Sequence, residues 1–391
     1  MKLNRIICVA ACLLGACSFI ATNRASALAV VLVSVAMPAI SAIVGRVSTR
    51  RIELAFDMQR SCTVGQPLTL SIAVSRGFAW RGSIELLFEC KNLMTGSLER
   101  VTVSLLPASV KTERFDLPMD TACCGTVAVS LIQAGCYDPL GFGETRIENA
   151  SFSSSYTVYP KLLDIQVGTD FTSRSNAFGT DYDRRRKGQD QTEVFDLRAF
   201  RDGDSIKQVH WKLSASFDDL LVRESSRPAD FDVALVAGVV AGDPEDPDRV
   251  EKLNATLALF ASISWALLRQ GIAHDAIRNE EGLFTVVSVD TREAFEDMLD
   301  ELMVTPLPQR SRPASEPGFI EEITQRRAIA KILFVCNFIS DELFARVADI
   351  TDLSVIHVGN AASTESSANG RYLVSHIDAE SVGEGMKSLE L

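Results

Sequence analysis

Two uncharged apolar runs separated by only three residues open the chain, and no other feature constrains its fold so strongly. The first, Ile6–Ala21, spans 16 residues, and the second, 25–44, spans 20, with Thr22, Asn23 and Arg24 between them. At about 1.5 Å of rise per helical residue the second run can cross a hydrocarbon core of about 30 Å, while the first is slightly short and relies on its flanks. Together they predict a transmembrane helical hairpin over residues 1–46. Lys2 and Arg5 precede the first run and Arg46, Arg50 and Arg51 follow the second, against Arg24 alone in the connection. Positive charge gathers on the cytoplasmic side of a bilayer, which predicts an inner (plasma) membrane protein with both termini and the large domains in the cytosol.

Two other readings of the first run stay open. It has the length of a signal peptide, with Ala25-Ser26-Ala27 as a small-residue cleavage site. The stretch Leu14-Gly15-Ala16-Cys17 also has the form of a lipobox, which would make the chain an exported lipoprotein binding module lipidated at Cys17. Cysteine usage does not decide between compartments. Three of nine cysteines lie in the first run, five fall between Cys62 and Cys136, and only Cys336 follows, with no C-x-x-C pair. That pattern suits neither a zinc site nor a regular disulfide framework, so buried free thiols are expected. A formal net charge of -12 argues against nucleic acid as a partner, because phosphate-backbone binding needs a broad basic surface.

The remainder divides into three parts. Residues 47–160 carry short alternating or apolar runs at 52–58, 68–74, 83–90, 100–106, 110–117, 126–133 and 155–159, punctuated by turn residues such as Gly65-Gln66-Pro67. This spacing predicts an antiparallel β-sandwich of about seven strands. Residues 161–228 are highly charged; Asp204 or Ser205 can cap a helix running to about Ser214, and 220–224 reads as a short strand. In residues 229–391 strand patterns (233–240, 283–289, 332–336, 353–358) alternate with helical ones (250–269, 292–303, 341–348), which predicts an α/β domain with a mostly parallel sheet.

The middle segment carries a signature: Glu193, Leu197-Arg198, Gly203-Asp204, Trp211-Lys212, Ser214-Ala215 and Leu221-Val222-Arg223-Glu224. It resembles the core motif of the bacterial family called domain of unknown function 58, as do Tyr137-Asp138-Pro139-Leu140-Gly141 and Val158-Tyr159-Pro160 upstream. The resemblance implies that 229–391 is a von Willebrand factor A-like domain. It further implies a non-enzymatic adaptor that works with a MoxR-type AAA+ ATPase, and with other membrane proteins, in complex assembly, maturation or envelope stress. Such a domain holds a divalent cation through an Asp-x-Ser-x-Ser loop after its first strand, since a hard cation needs several converging oxygens. Here that stretch reads Val-Ala-Leu-Val-Ala-Gly-Val-Val-Ala-Gly over 233–242, without one side-chain oxygen. Asp243, Glu245, Asp246 and Asp248 follow at other spacings and read as a solvated acidic turn, so neither a metal nor another cofactor is expected.

The charged segment admits two chemistries. Arg198, Asp204, Trp211, Lys212 and Arg223 are the candidate partner-binding residues, Trp and Arg being the residues that most often anchor interfaces. The same five can instead form an ion-paired network that locks the segment to its neighbours. A rival from another class is a hydrolase using His210, Ser214 and the Asp202/Asp204 carboxylates, because His210 and Ser214 stand one helical turn apart. No nucleophile-elbow motif surrounds Ser214, and the many Arg and Lys neighbours favour ion pairing over acid-base work. The basic knot Arg184-Arg185-Arg186-Lys187 reads first as a solvated loop, then as a contact for an acidic protein surface or for anionic membrane lipid.

Overall fold

A computed structural model describes residues 2–22, 25–49, 52–76, 82–107, 112–137, 143–165, 182–187, 194–199, 221–228, 232–280, 283–308, 329–360, 363–366 and 372–384. The chain forms two compact units, Met1–Lys161 with Leu302–Pro306, and Leu162–Glu301 with Leu307–Leu391.

The first unit begins with helices α1 (Lys2–Thr22) and α2 (Ala25–Thr49). Among the described residues one helix, over Ala25–Val47, is long and apolar enough to cross a membrane; Ile6–Ala21 is a shorter apolar helix. The two helices lie side by side at Gly15, where an added Cβ would sit 3.1 Å from the side chains of both Val30 and Val31. Small residues at such a point let helix backbones approach closely. Pro38 interrupts α2, and because proline has no N–H the carbonyl of Ser34, four residues earlier, loses its helical donor. The Cys8 thiol of α1 supplies one instead, donating to Ser34 O at 3.0 Å.

Two β-sheets follow. One is antiparallel, ordered β1 (Ile52–Met58), β3 (Leu68–Arg76), β6 (Glu113–Met119). The other runs β2 (Ser61–Thr63), β9 (Ser153–Tyr159), β7 (Gly125–Tyr137), β4 (Ile84–Asn92), β5 (Leu98–Leu105), with β8 (Glu144–Arg146) beside β7. All seven expected strands recur, β1 with the expected bounds and the other six with at least one end shifted, whereas β2 and β8, at three residues each, are too short to show alternation. The sheets differ from a purely antiparallel expectation at one pair, β2 and β9, which run parallel. Both sheets face one core. Alternation on β4 turns Ile84, Leu86 and Phe88 inward, and Phe88 meets Phe56 of β1 edge-on at 6.1 Å. Each such fully buried side chain contributes roughly 1.5–3 kcal/mol.

In the second unit a small antiparallel sheet is ordered β10 (Tyr182–Lys187), β12 (Leu221–Pro228), β11 (Val194–Ala199). The strand expected over 220–224 is thus part of β12, and the basic run 184–187 lies within β10 rather than in a loop. The helix expected from 204 or 205 to 214 lies outside the described residues.

The main sheet has seven strands, ordered β15 (Leu283–Val289), β14 (His274–Glu280), β13 (Asp232–Gly238), β16 (Ile329–Cys336), β17 (Asp352–Gly359), β19 (Leu373–Asp378), β18 (Ser363–Ser366). Its five inner strands are parallel, and β15 and β18 close the two edges antiparallel. The helices are α3 (Arg249–Arg269), α4 (Arg292–Val304), α5 (Asp341–Ala348) and α6 (Ala379–Glu384). Strand β13 is a continuous apolar run because helices and strands cover it on every side; Val233 to Ala237 are all buried. Helix α3 is buried over most of its length, so its Thr256 hydroxyl donates back to the Lys252 carbonyl at 2.6 Å. It stops at Gly271, whose φ of 75° lets the Ile272 N–H reach Leu267 O, five residues back. Phe344 of α5 packs on Phe334 of β16 at 5.2 Å, and Trp265 of α3 on Phe295 of α4 at 5.1 Å.

Candidate functional site

Strand order in the main sheet reverses direction at its first strand. From β13 the chain steps outward to β14 and β15, then returns to β16 on the other side and continues to β17. In open α/β sheets the crevice beyond the carboxyl ends of such a pair is the usual ligand position. Here one side chain bridges the two strand ends. Asn337, the residue after β16, donates from Nδ2 to Val240 O at 2.8 Å and accepts from Val240 N at 3.0 Å through Oδ1. The amide therefore copies a backbone strand pair one rung beyond the point where β13 ends.

The acidic loop beside this clamp is engaged internally. Asp243 accepts from the Glu245 N–H at 3.1 Å, Asp246 from the Asp248 N–H at 3.0 Å and from Lys252 Nζ at 2.9 Å, and Asp248 from Asn360 Nδ2 at 3.1 Å. Lys252 and then the Asp248 N–H hold the Asp246 carboxyl below its ordinary value. Among the described residues no three His, Cys, Asp or Glu side chains converge as metal ligands do.

Two further polar contacts of this domain involve histidine. His357 of β17 and His376 of β19 are register partners, and one Nδ1 donates to the other across 2.9 Å. Burial first, then His376 and Lys252, push His357 down to about 4. Deeper inside, His274 donates from Nδ1 to Ile272 O at 3.2 Å, which makes Nε2 the acceptor for the Ser264 hydroxyl at 2.8 Å. Ser264 and His274 have the geometry of a nucleophile and its base, yet they are 0% and 2% exposed. Burial lowers the His274 pKa and keeps the ring neutral, so this pair ties α3 to β14.

Of the candidate partner-binding residues, Arg198 and Arg223 lie in described strands. Arg198 stands opposite Val222 and Arg223 opposite Leu197, one rung apart in the β11–β12 pair. Asp204, Trp211 and Lys212 lie outside the described residues, as do His210, Ser214 and Asp202 of the hydrolase reading. None of the nine cysteines is in a disulfide; Cys62, Cys124, Cys136 and Cys336 are buried, and burial raises the Cys336 thiol to about 12. Asn337 was open to detection as a polar residue at the end of an apolar strand run, whereas the His357–His376 pairing rests on a register that the sequence does not display.

Residues 196–382 match the family described as protein of unknown function DUF58. The match supports that family for this chain, and it spans β11, β12 and the seven-stranded sheet. A search of the curated proteins finds no match. Among solved structures the chain is similar to a cohesin module from a Clostridium perfringens family 33 glycoside hydrolase, at 13% identity over 28% of this chain and 96% of that one, with a TM-score of 0.21. A CARDB domain from Pyrococcus furiosus, in complex with di-metal ions, gives 15% identity, 27% and 86% coverage and a TM-score of 0.19. A Bacteroides uniformis beta-glucuronidase gives 9% identity, 82% and 34% coverage and a TM-score of 0.20. Likenesses this weak carry no argument about fold or activity.

Proposed function

We propose that this is a membrane-anchored, non-enzymatic adaptor of the DUF58 family whose α/β domain docks other proteins without a metal at its switch point. The observation that carries the reading is the Asn337–Val240 clamp: where a sheet of this order would receive a ligand, an uncharged amide is bonded to backbone, and the nearby carboxylates are engaged with Lys252, Asn360 and main-chain N–H groups. Such a surface suits recognition better than bond-breaking chemistry. The strand order with its first strand central and an antiparallel edge at β15 supports a von Willebrand factor A-like reading of the domain. The close approach of α1 and α2 at Gly15, with five flanking basic residues against one in the connection, supports a two-helix inner-membrane anchor and cytosolic domains.

The partner in this reading is a MoxR-type AAA+ ATPase, with Arg198, Asp204, Trp211, Lys212 and Arg223 as the contact residues. The test is a mild-detergent pull-down of the full chain from its native membranes, with and without ATP, followed by mass spectrometry. Nucleotide-dependent recovery of an AAA+ ATPase that is lost in Trp211→Ala and Arg198→Ala is the expected result. Repeated recovery of the intact protein without any ATPase overturns it.

A further inference from the structure

The His357–His376 pair is not used by the docking reading, and its spacing is close to that of a chelate. In a parallel pair, register partners point to the same face, and the face shared here is the one on which Leu353, Val355 and Val374 meet the core under Phe344. The two imidazoles follow those residues toward the carboxyl ends of the strands, where both are half-buried. Their Nδ1 atoms stand 2.9 Å apart and their ring planes are inclined at 75°. Two nitrogens bound to one tetrahedral zinc-class ion at about 2.0–2.1 Å are separated by about 3.3–3.4 Å. The observed hydrogen-bonded spacing is shorter than this by about 0.4–0.5 Å, a separation that side-chain rotation can supply without movement of the strands.

We infer that His357 and His376 form a two-histidine binding site for a borderline transition-metal cation such as Zn2+, with water or a group from another molecule filling the remaining positions. Both ligands sit on sheet strands rather than loops, which preorganises the chelate. Gly359 leaves room for the ring: a Cβ there would stand 3.0 Å from His357 Cε1. The nearby Lys252 ammonium is neutralised by Asp246 at 2.9 Å, which offsets its repulsion of a cation. Binding needs no net release of a proton. The hydrogen shared between the two Nδ1 atoms moves to the Nε2 of the same ring, leaving two Nδ1 lone pairs for the metal. Zn2+ prefers imidazole and carries no redox demand, so no co-reactant enters.

The test uses the full-length protein in mild detergent, stripped with a chelator and titrated with Zn2+ or Co2+. One ion per chain is expected, and either His357→Ala or His376→Ala should weaken it on the order of 100-fold through loss of the chelate's second arm. The unsubstituted protein gives a second readout that no folding defect can imitate: bound Co2+ should show ligand-field bands without a thiolate charge-transfer band. Absence of a bound ion, binding unchanged by both substitutions, or a spectrum dominated by thiolate ligation overturns the site.

Discussion

Replacing Asn337 by Ala would remove both arms of the clamp at once. Val240, 7% exposed, would lose the acceptor for its N–H and the donor for its carbonyl. Each lost hydrogen bond costs about 0.5–1.5 kcal/mol net, and a buried group left unsatisfied costs about 1–3 kcal/mol. Partial solvation of this loop brings the sum to roughly 3 kcal/mol, confined to the ends of β13 and β16. Since about 1.4 kcal/mol corresponds to a factor of ten, amide exchange there should accelerate on the order of 100-fold. Hydrogen exchange followed by mass spectrometry on the full chain in detergent resolves this, using peptides covering 232–242 and 329–340 against peptides from 52–105 as internal reference. Asn337→Asp should behave nearly as badly despite its shape, because it places an oxygen against Val240 O where Nδ2 now donates. An exchange rate that changes less than about threefold in both variants would refute the argument that this amide bridges the two strand ends.

Gly238→Ala would drive a Cβ into the Phe334 ring and to 3.0 Å from Cys336 Cβ, so it should lower stability by about 1–3 kcal/mol or more, read as a fall in denaturation midpoint. His274 stays neutral when folded because burial lowers its pKa, so the unfolded chain takes up a proton first as pH drops below about 6.5. Stability should therefore be intact at higher pH and decline from there toward the native value; His274→Asn should flatten part of that slope, and an unchanged slope between pH 7.5 and 5.5, both about the usual working range, would count against it. Gly15→Leu should separate α1 from α2 by removing the room at Val30 and Val31, measurable as loss of a crosslink between cysteines engineered on the two helices.

Much of the fold was legible because burial writes a period into the sequence. The seven alternating runs of 52–159 and the apolar run of β13 were readable for that reason, as were α3 and its stop before Gly271. Strand β14 was not, since His274-Asp275-Ala276-Ile277-Arg278 carries buried polar groups that meet partners: Ser264 bonds His274, Ser288 bonds Asp275 at 2.6 Å, and Glu301 pairs with Arg278 at 2.7 Å. A hydrophobic pattern cannot show a strand whose buried positions are polar and paired from distant segments. Strand β19 fails for a related reason, because Leu373, at its start, is exposed and His376 stands where an apolar residue would continue the pattern.

The candidate site was harder to read than the fold because its parts are spread over the chain and united only by register. Asn337 and Val240 are 97 residues apart and meet because β13 and β16 pair in parallel with Gly238 opposite Cys336. His357 and His376 are separated by 19 residues, and a shift of one residue between β17 and β19 would send their rings to opposite faces. The signature at 193–224 is the reverse case: its charged residues and Trp211 are compact in sequence, which makes them recognisable, yet proximity along the chain does not say which of them share a surface. Register answers this for Arg198 and Arg223: they stand one rung apart on paired strands, and neighbouring rungs alternate between the two faces of a sheet, so these positions do not share one. If both bear on partner binding, Arg198→Ala and Arg223→Ala should show additive losses in the pull-down, as residues without a common contact do. Strong non-additivity would place them in one network and refute the placement on separate faces.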